Sequence, residues 1–95
     1  MATLLAPDAL ATALGSLPGW TQAGAQITRS FRFAGFPDSV AFVTRVAFAA
    51  EAMDHHPDLD IRYDRVIVTL STHSAGGVTD LDVALARQID AITAR

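Results

Sequence analysis

Ninety-five residues, 51% of them apolar and 18% charged, predict one globular domain over residues 1–95 with a single modest core. A net charge of −3, seven scattered arginines and no lysine exclude the basic stripe that direct nucleic-acid binding requires. The absence of cysteine excludes disulfides, thiolate zinc sites and a cysteine nucleophile; with no secretory signal and no apolar run near the ~20 residues of a membrane span, a cytoplasmic protein away from membranes is expected.

Residues 7–14 predict a short helix. Pro7 suits its first turn, Asp8 favours its positive end, and Leu10 and Leu14 form an apolar i, i+4 pair with Leu17 beyond. Trp20 follows the Gly15–Gly19 break at a loop-to-strand boundary. Residues 20–34 predict a β-hairpin turning near Ala23-Gly24-Ala25. Its second strand places Ile27, Phe31 and Phe33 on one face and Thr28, Ser30 and Arg32 on the other. Arg29 falls on the apolar face, where its stem can pack while its charge reaches an edge; the other arginines read as solvated surface.

After Gly35-Phe36-Pro37-Asp38 a long helix is expected to about Asp54. Phe36, Val40, Val43, Ala47 and Ala50 form one apolar row, and Phe42, Val46, Ala49 and Met53 a second beside it. A face this wide needs cover on more than one side. Pro57 disfavours helical geometry at His56, so the helix ends at or before His55. Residues 60–72 are β-rich, with Val66, Val68 and Leu70 alternating against Arg65, Ile67 and Thr69, and Tyr63-Asp64-Arg65 as a bulge or a break between two strands. Thr79-Asp80-Leu81-Asp82 matches a capping box with Asp in place of Glu, opening a last helix to about Ile92 with Leu81, Leu85, Ile89 and Ile92 on its apolar face. Without regular βαβ alternation, the order fits an α+β fold: an antiparallel sheet of about four strands with three helices on one face.

The three histidines of the chain, His55, His56 and His73, fall within nineteen residues and flank the β-rich segment. Folding that segment back can bring them together. Imidazoles titrate near neutral pH, so such a trio points to proton transfer. A three-histidine metal site is the rival, but adjacent histidines rarely face one ion and no carboxylate set has ligand spacing. Glu51 lies four residues before His55, so at i, i+4 it faces the same side, where it can bond a ligand or orient an imidazole. Some candidates also have plain structural explanations: Glu51 as an exposed helix charge, Asp82 as a capping residue and Trp20 as a core aromatic.

Glu51-x-x-x-His55-His56-Pro57, Tyr63-x-x-Val66, Thr69-Leu70-Ser71-Thr72-His73 and Gly77-Val78-Thr79-x-x-Asp82 together resemble the signature of the pterin-4a-carbinolamine dehydratases. Gly19-Trp20, Phe31-x-Phe33, Phe42-x-Thr44-Arg45-Val46-Ala47 and Asp82-Val83-Ala84-Leu85-Ala86 extend the resemblance over most of the chain. It implies dehydration of 4a-hydroxytetrahydropterin to quinonoid dihydropterin, recycling the pterin of an aromatic amino acid hydroxylase without metal or organic cofactor. His55, His56 and His73 match the family's active-site histidines, with acid and base roles unassigned among them. Glu51, Asp82, Trp20 and Thr72 match residues at or beside the pterin pocket. Leu59 stands where many members carry an aromatic, and Leu81 replaces a basic residue of vertebrate members. The family assembles as dimers or tetramers, so a homo-oligomer is expected. Vertebrate members also serve as dimerisation cofactors of a homeodomain transcription factor. A protein-interaction role, or action on another pterin such as a molybdopterin-type compound, are the alternatives.

Overall fold

A computed structural model of the chain describes residues 2–93. Helix α1 (Pro7–Gly15) leads to a hairpin of β1 (Thr21–Ala23) and β2 (Gln26–Arg32), then helix α2 (Phe36–Met53), a second hairpin of β3 (Asp58–Arg62) and β4 (Arg65–Leu70), a short 3₁₀ turn (His73–Ala75) and helix α3 (Asp80–Thr93). The sheet is antiparallel in the order β1-β2-β4-β3. This is the α+β architecture that the pattern of the sequence predicts.

Register explains why the helices take one face. Ile27 pairs with Leu70 and Phe31 with Val66, while Leu59 pairs with Val68 and Ile61 with Val66, so the apolar side chains of three strands share one side. The other side carries Arg32, Arg65 and Arg62 in one row across β2, β4 and β3, and stays in water. Leu10, Leu17, Phe42, Val46, Ala50, Leu85, Ala86 and Ile89 close over the apolar side to form one core.

The β-rich stretch expected over residues 60–72 is two strands. It starts earlier, at Asp58, and Tyr63, with φ 56°, turns the chain between Arg62 and Arg65. Ser71 and Thr72 lie beyond the strand, and Thr72 forms an isolated bridge to Gly77. On α2 the buried row is Ser39, Phe42, Val46 and Ala50; Phe36 and Val40, assigned by periodicity to a parallel row, stay exposed. On α3 the buried stripe is Asp82, Leu85, Ala86 and Ile89, one residue round from the expected Leu81. Arg29 is no free surface charge. Its guanidinium lies 4.5 Å over the Phe31 ring and bonds Asp90 at 2.8 Å.

Candidate active site

Pro57 and Asp54 part the adjacent histidines. Asp54 caps α2 in the left-handed region, at φ 50° and ψ 43°, a conformation that aspartate tolerates better than most residues. Its N–H and that of His55 turn back onto the carbonyls of Glu51 and Ala50. The chain leaves the helix axis there, and His55 turns inward while His56 turns outward into water.

His55 is buried, and its Nε2 lies 2.5 Å from Oδ1 of Asp82, which is itself fully buried. The other carboxylate oxygen, Oδ2, accepts the Thr72 hydroxyl at 2.9 Å and the Thr79 N–H at 2.8 Å. The Leu81 N–H reaches the Thr79 hydroxyl at 3.2 Å, so the capping box forms in both directions. Asp82 is therefore at once the helix cap and the partner of a histidine. An isolated buried carboxylate would cost several kcal/mol, and three donors offset that cost.

His56 Nε2 bonds Glu51 Oε1 at 2.8 Å on the surface. That bond, reinforced by the charges of Glu51 and Asp54, raises the His56 pKa above the ordinary imidazole value. The expected alignment of Glu51 with His55 is corrected here: the partner is His56, five residues on. The i, i+4 rule holds only while the helix continues, and α2 ends at Met53.

His73 comes from the far end of the second hairpin in the chain. It opens the 3₁₀ turn after β4, which closes through the Gly76 N–H onto the carbonyls of Thr72 and His73, and through Thr72 N–H onto Gly77. Asp54, His55, His56, Ser71, Thr72, His73 and Ser74 line a single cleft of about 270 Å³. His56 also borders an apolar groove of about 570 Å³ with Glu51, Phe48 and Leu59. All three histidines and Thr72 thus share one cleft, with Asp82 behind it and Glu51 at its edge. Trp20 is not among the lining residues. It packs edge-to-face on Phe31 at 6.1 Å between ring centres and donates its indole N–H to Asp90 at 2.9 Å.

Sequence reasoning passed over Thr79 as a site residue, although the capping box contained it. Ser71 and Ser74 carried no signal beyond their places beside Thr72 and His73. No group of three or more His, Asp or Glu side chains among the described residues is arranged to hold a metal ion, and none of the helices described is long and apolar enough to cross a membrane.

Comparison with known proteins places the chain in a family. Residues 3–92 match the family model described as pterin 4 alpha carbinolamine dehydratase. A Nocardia farcinica protein named after that dehydratase is 55% identical over 87 residues, covering 92% of each chain. One from Roseiflexus sp. is 50% identical over 92 residues, covering 97% of this chain and 99% of its own. A solved structure described as a transcriptional coactivator/pterin dehydratase from Brucella melitensis superposes with a TM-score of 0.92 at 42% identity, over 95% of this chain and 98% of that one. A pterin dehydratase-like RuBisCO assembly factor of the α-carboxysome shares the fold, at TM-score 0.62 and 22% identity. The chain belongs to the pterin 4 alpha carbinolamine dehydratase family.

Proposed function

We propose that the protein dehydrates 4a-hydroxytetrahydropterin to quinonoid dihydropterin by histidine acid/base catalysis. The observation that carries the reading is the convergence of His55, His56 and His73 on one cleft, with His55 on a buried carboxylate and His56 on an exposed one. The reaction breaks the C4a–O bond, releases water and leaves a C=N bond to the adjacent ring nitrogen. One group must protonate the departing hydroxyl and another must accept the proton from that nitrogen. A histidine whose pKa is raised by a carboxylate, as His56 is by Glu51, suits the donor. A histidine held on a buried carboxylate, as His55 is by Asp82, suits the acceptor. His73 and Thr72 line the same cleft, and there they would border the ring. Each proton transfer contributes roughly 10²–10⁴-fold in rate, and neither needs a metal or organic cofactor.

In the cell this activity would serve an aromatic amino acid hydroxylase by returning its spent pterin. The protein is expected to act as a homodimer or homotetramer, because Phe36, Val40 and Phe48 leave an apolar strip of α2 uncovered. The test is direct. 4a-hydroxytetrahydropterin generated by a phenylalanine hydroxylase should decay faster with the purified protein than in buffer, followed by absorbance, and His56→Ala should remove most of the gain. Equal decay with protein and with buffer would end the enzyme reading.

The same uncovered strip favours a second reading, as a protein-interaction surface independent of the histidines. Under it, capture of a protein partner would survive mutation of all three histidines, while a dehydratase without that role would show no such partner.

A further inference from the structure

The protons of the buried network behind His55 can be placed by counting. An ionised Asp82 only accepts, and its Oδ2 takes the hydroxyl of Thr72 at 2.9 Å and the main-chain N–H of Thr79 at 2.8 Å. A threonine hydroxyl has one proton, so Thr72 has none left to give. The 2.7 Å contact between the Thr72 and Thr79 hydroxyls must then use the proton of Thr79. The oxygen of Thr79 accepts in turn from the Leu81 N–H at 3.2 Å. The chain of donors runs one way, from Leu81 through Thr79 and Thr72 to Asp82.

His55 follows from the ionised carboxylate. Its Nε2 faces Oδ1 of Asp82 at 2.5 Å and must carry the proton. Among the described residues its Nδ1 has no hydrogen-bond partner, and none of their buried side-chain nitrogen or oxygen atoms lacks one. Nδ1 is therefore the ring atom open to the cleft that His55 lines.

We propose that Thr79 is a positioning residue of this site: its hydroxyl, acting through Thr72 and Asp82, holds neutral His55 in the Nε2–H form and presents a bare Nδ1 as proton acceptor. Hydrogen bonds in such a chain polarise one another, so the Thr79 donor strengthens the Thr72–Asp82 bond, which holds the carboxylate in place with Oδ1 turned to Nε2 of His55. The Thr72 hydroxyl, its one proton committed to Asp82, supports the histidine through that carboxylate. The proposal rests on the histidine reading of the site above.

Thr79→Val tests it, since the valine is isosteric and keeps the main-chain N–H that caps Asp82. Its kcat should fall about five- to tenfold, the worth of the one lost bond that leads to His55, Thr79 to Thr72, with KM within about twofold, and Thr79→Ser should restore the rate. Nitrogen-15 NMR of the imidazoles gives a readout that does not depend on turnover. The neutral ring of wild-type His55 should carry its proton at Nε2, and Thr79→Val should mix in the Nδ1–H form. A wild-type neutral His55 protonated at Nδ1 overturns the proposal even if Thr79→Val does not fold, and so does a folded Thr79→Val with wild-type kcat and tautomer. A wild-type protein that fails to dehydrate the pterin would sink the proposed reaction, while the NMR result would still decide the relay.

Discussion

At the scale of single residues, two neighbours of the same type meet opposite surroundings. His55 and His56 differ only in which way Asp54 sends them: one onto a buried carboxylate, the other onto an exposed one. The consequence is testable at Glu51. If protonated His56 gives the proton to the departing hydroxyl, the rate falls as pH rises through its pKa. Glu51 raises that pKa, so Glu51→Gln lowers it, and the alkaline decline of kcat should begin at lower pH than in the wild type. A superimposable alkaline limb would remove His56 from the donor role. The sequence made the identity of the cluster legible but not this pairing. Spacing assigned Glu51 to His55 by helical periodicity, and only the break at Asp54 moves the pairing by one residue. Asp82 was legible as a cap; its second duty needed the fold, because twenty-seven positions separate it from His55.

At the scale of elements, the strands and helices whose apolar residues all face one core were readable from period alone. The sites of irregular backbone were not. The 3₁₀ turn carrying His73 is such a place. Alternation in β4 stops at Leu70, and nothing in Ser71-Thr72-His73 shows that the chain will curl back onto Gly77. Gly76 makes the curl possible with φ 77°, where a β-carbon is strained although nothing stands within 4 Å of it. Gly76→Ala should therefore cost about 1–2 kcal/mol of stability through the backbone alone, read as a lower urea midpoint at unchanged slope. It should also depress kcat, because His73 depends on that turn for its place in the cleft. Loss of stability with full activity would show that the cleft tolerates a displaced His73. The same contrast explains α2. Both apolar rows had the helical period, and periodicity cannot tell which one meets the sheet; tertiary packing selects Phe42 and Val46 and leaves Phe36 and Val40 outside.

At the scale of the whole molecule, that choice leaves apolar surface without cover. Phe48 is 75% exposed, Phe36 50% and Val40 39%, all on one helix that already gives its other face to the core. A small domain has little apolar surface to spare, and exposing three such side chains is costly unless another copy covers them. Burying one phenylalanine contributes about 1.5–3 kcal/mol, so removing it from an interface should weaken association by at least an order of magnitude. Phe48→Ser is the cleaner probe, since it adds no charge beside Glu51 and His56, with which Phe48 shares the apolar groove. Sedimentation velocity at micromolar concentration should show the wild type above the monomer mass and Phe48→Ser at lower order. Its far-ultraviolet circular dichroism should be unchanged, because Phe48 contributes nothing to the core. If the variant assembles as the wild type does, α2 is not the face through which copies meet. The edge strands β1 and β3 then become the surfaces by which a second sheet would have to join.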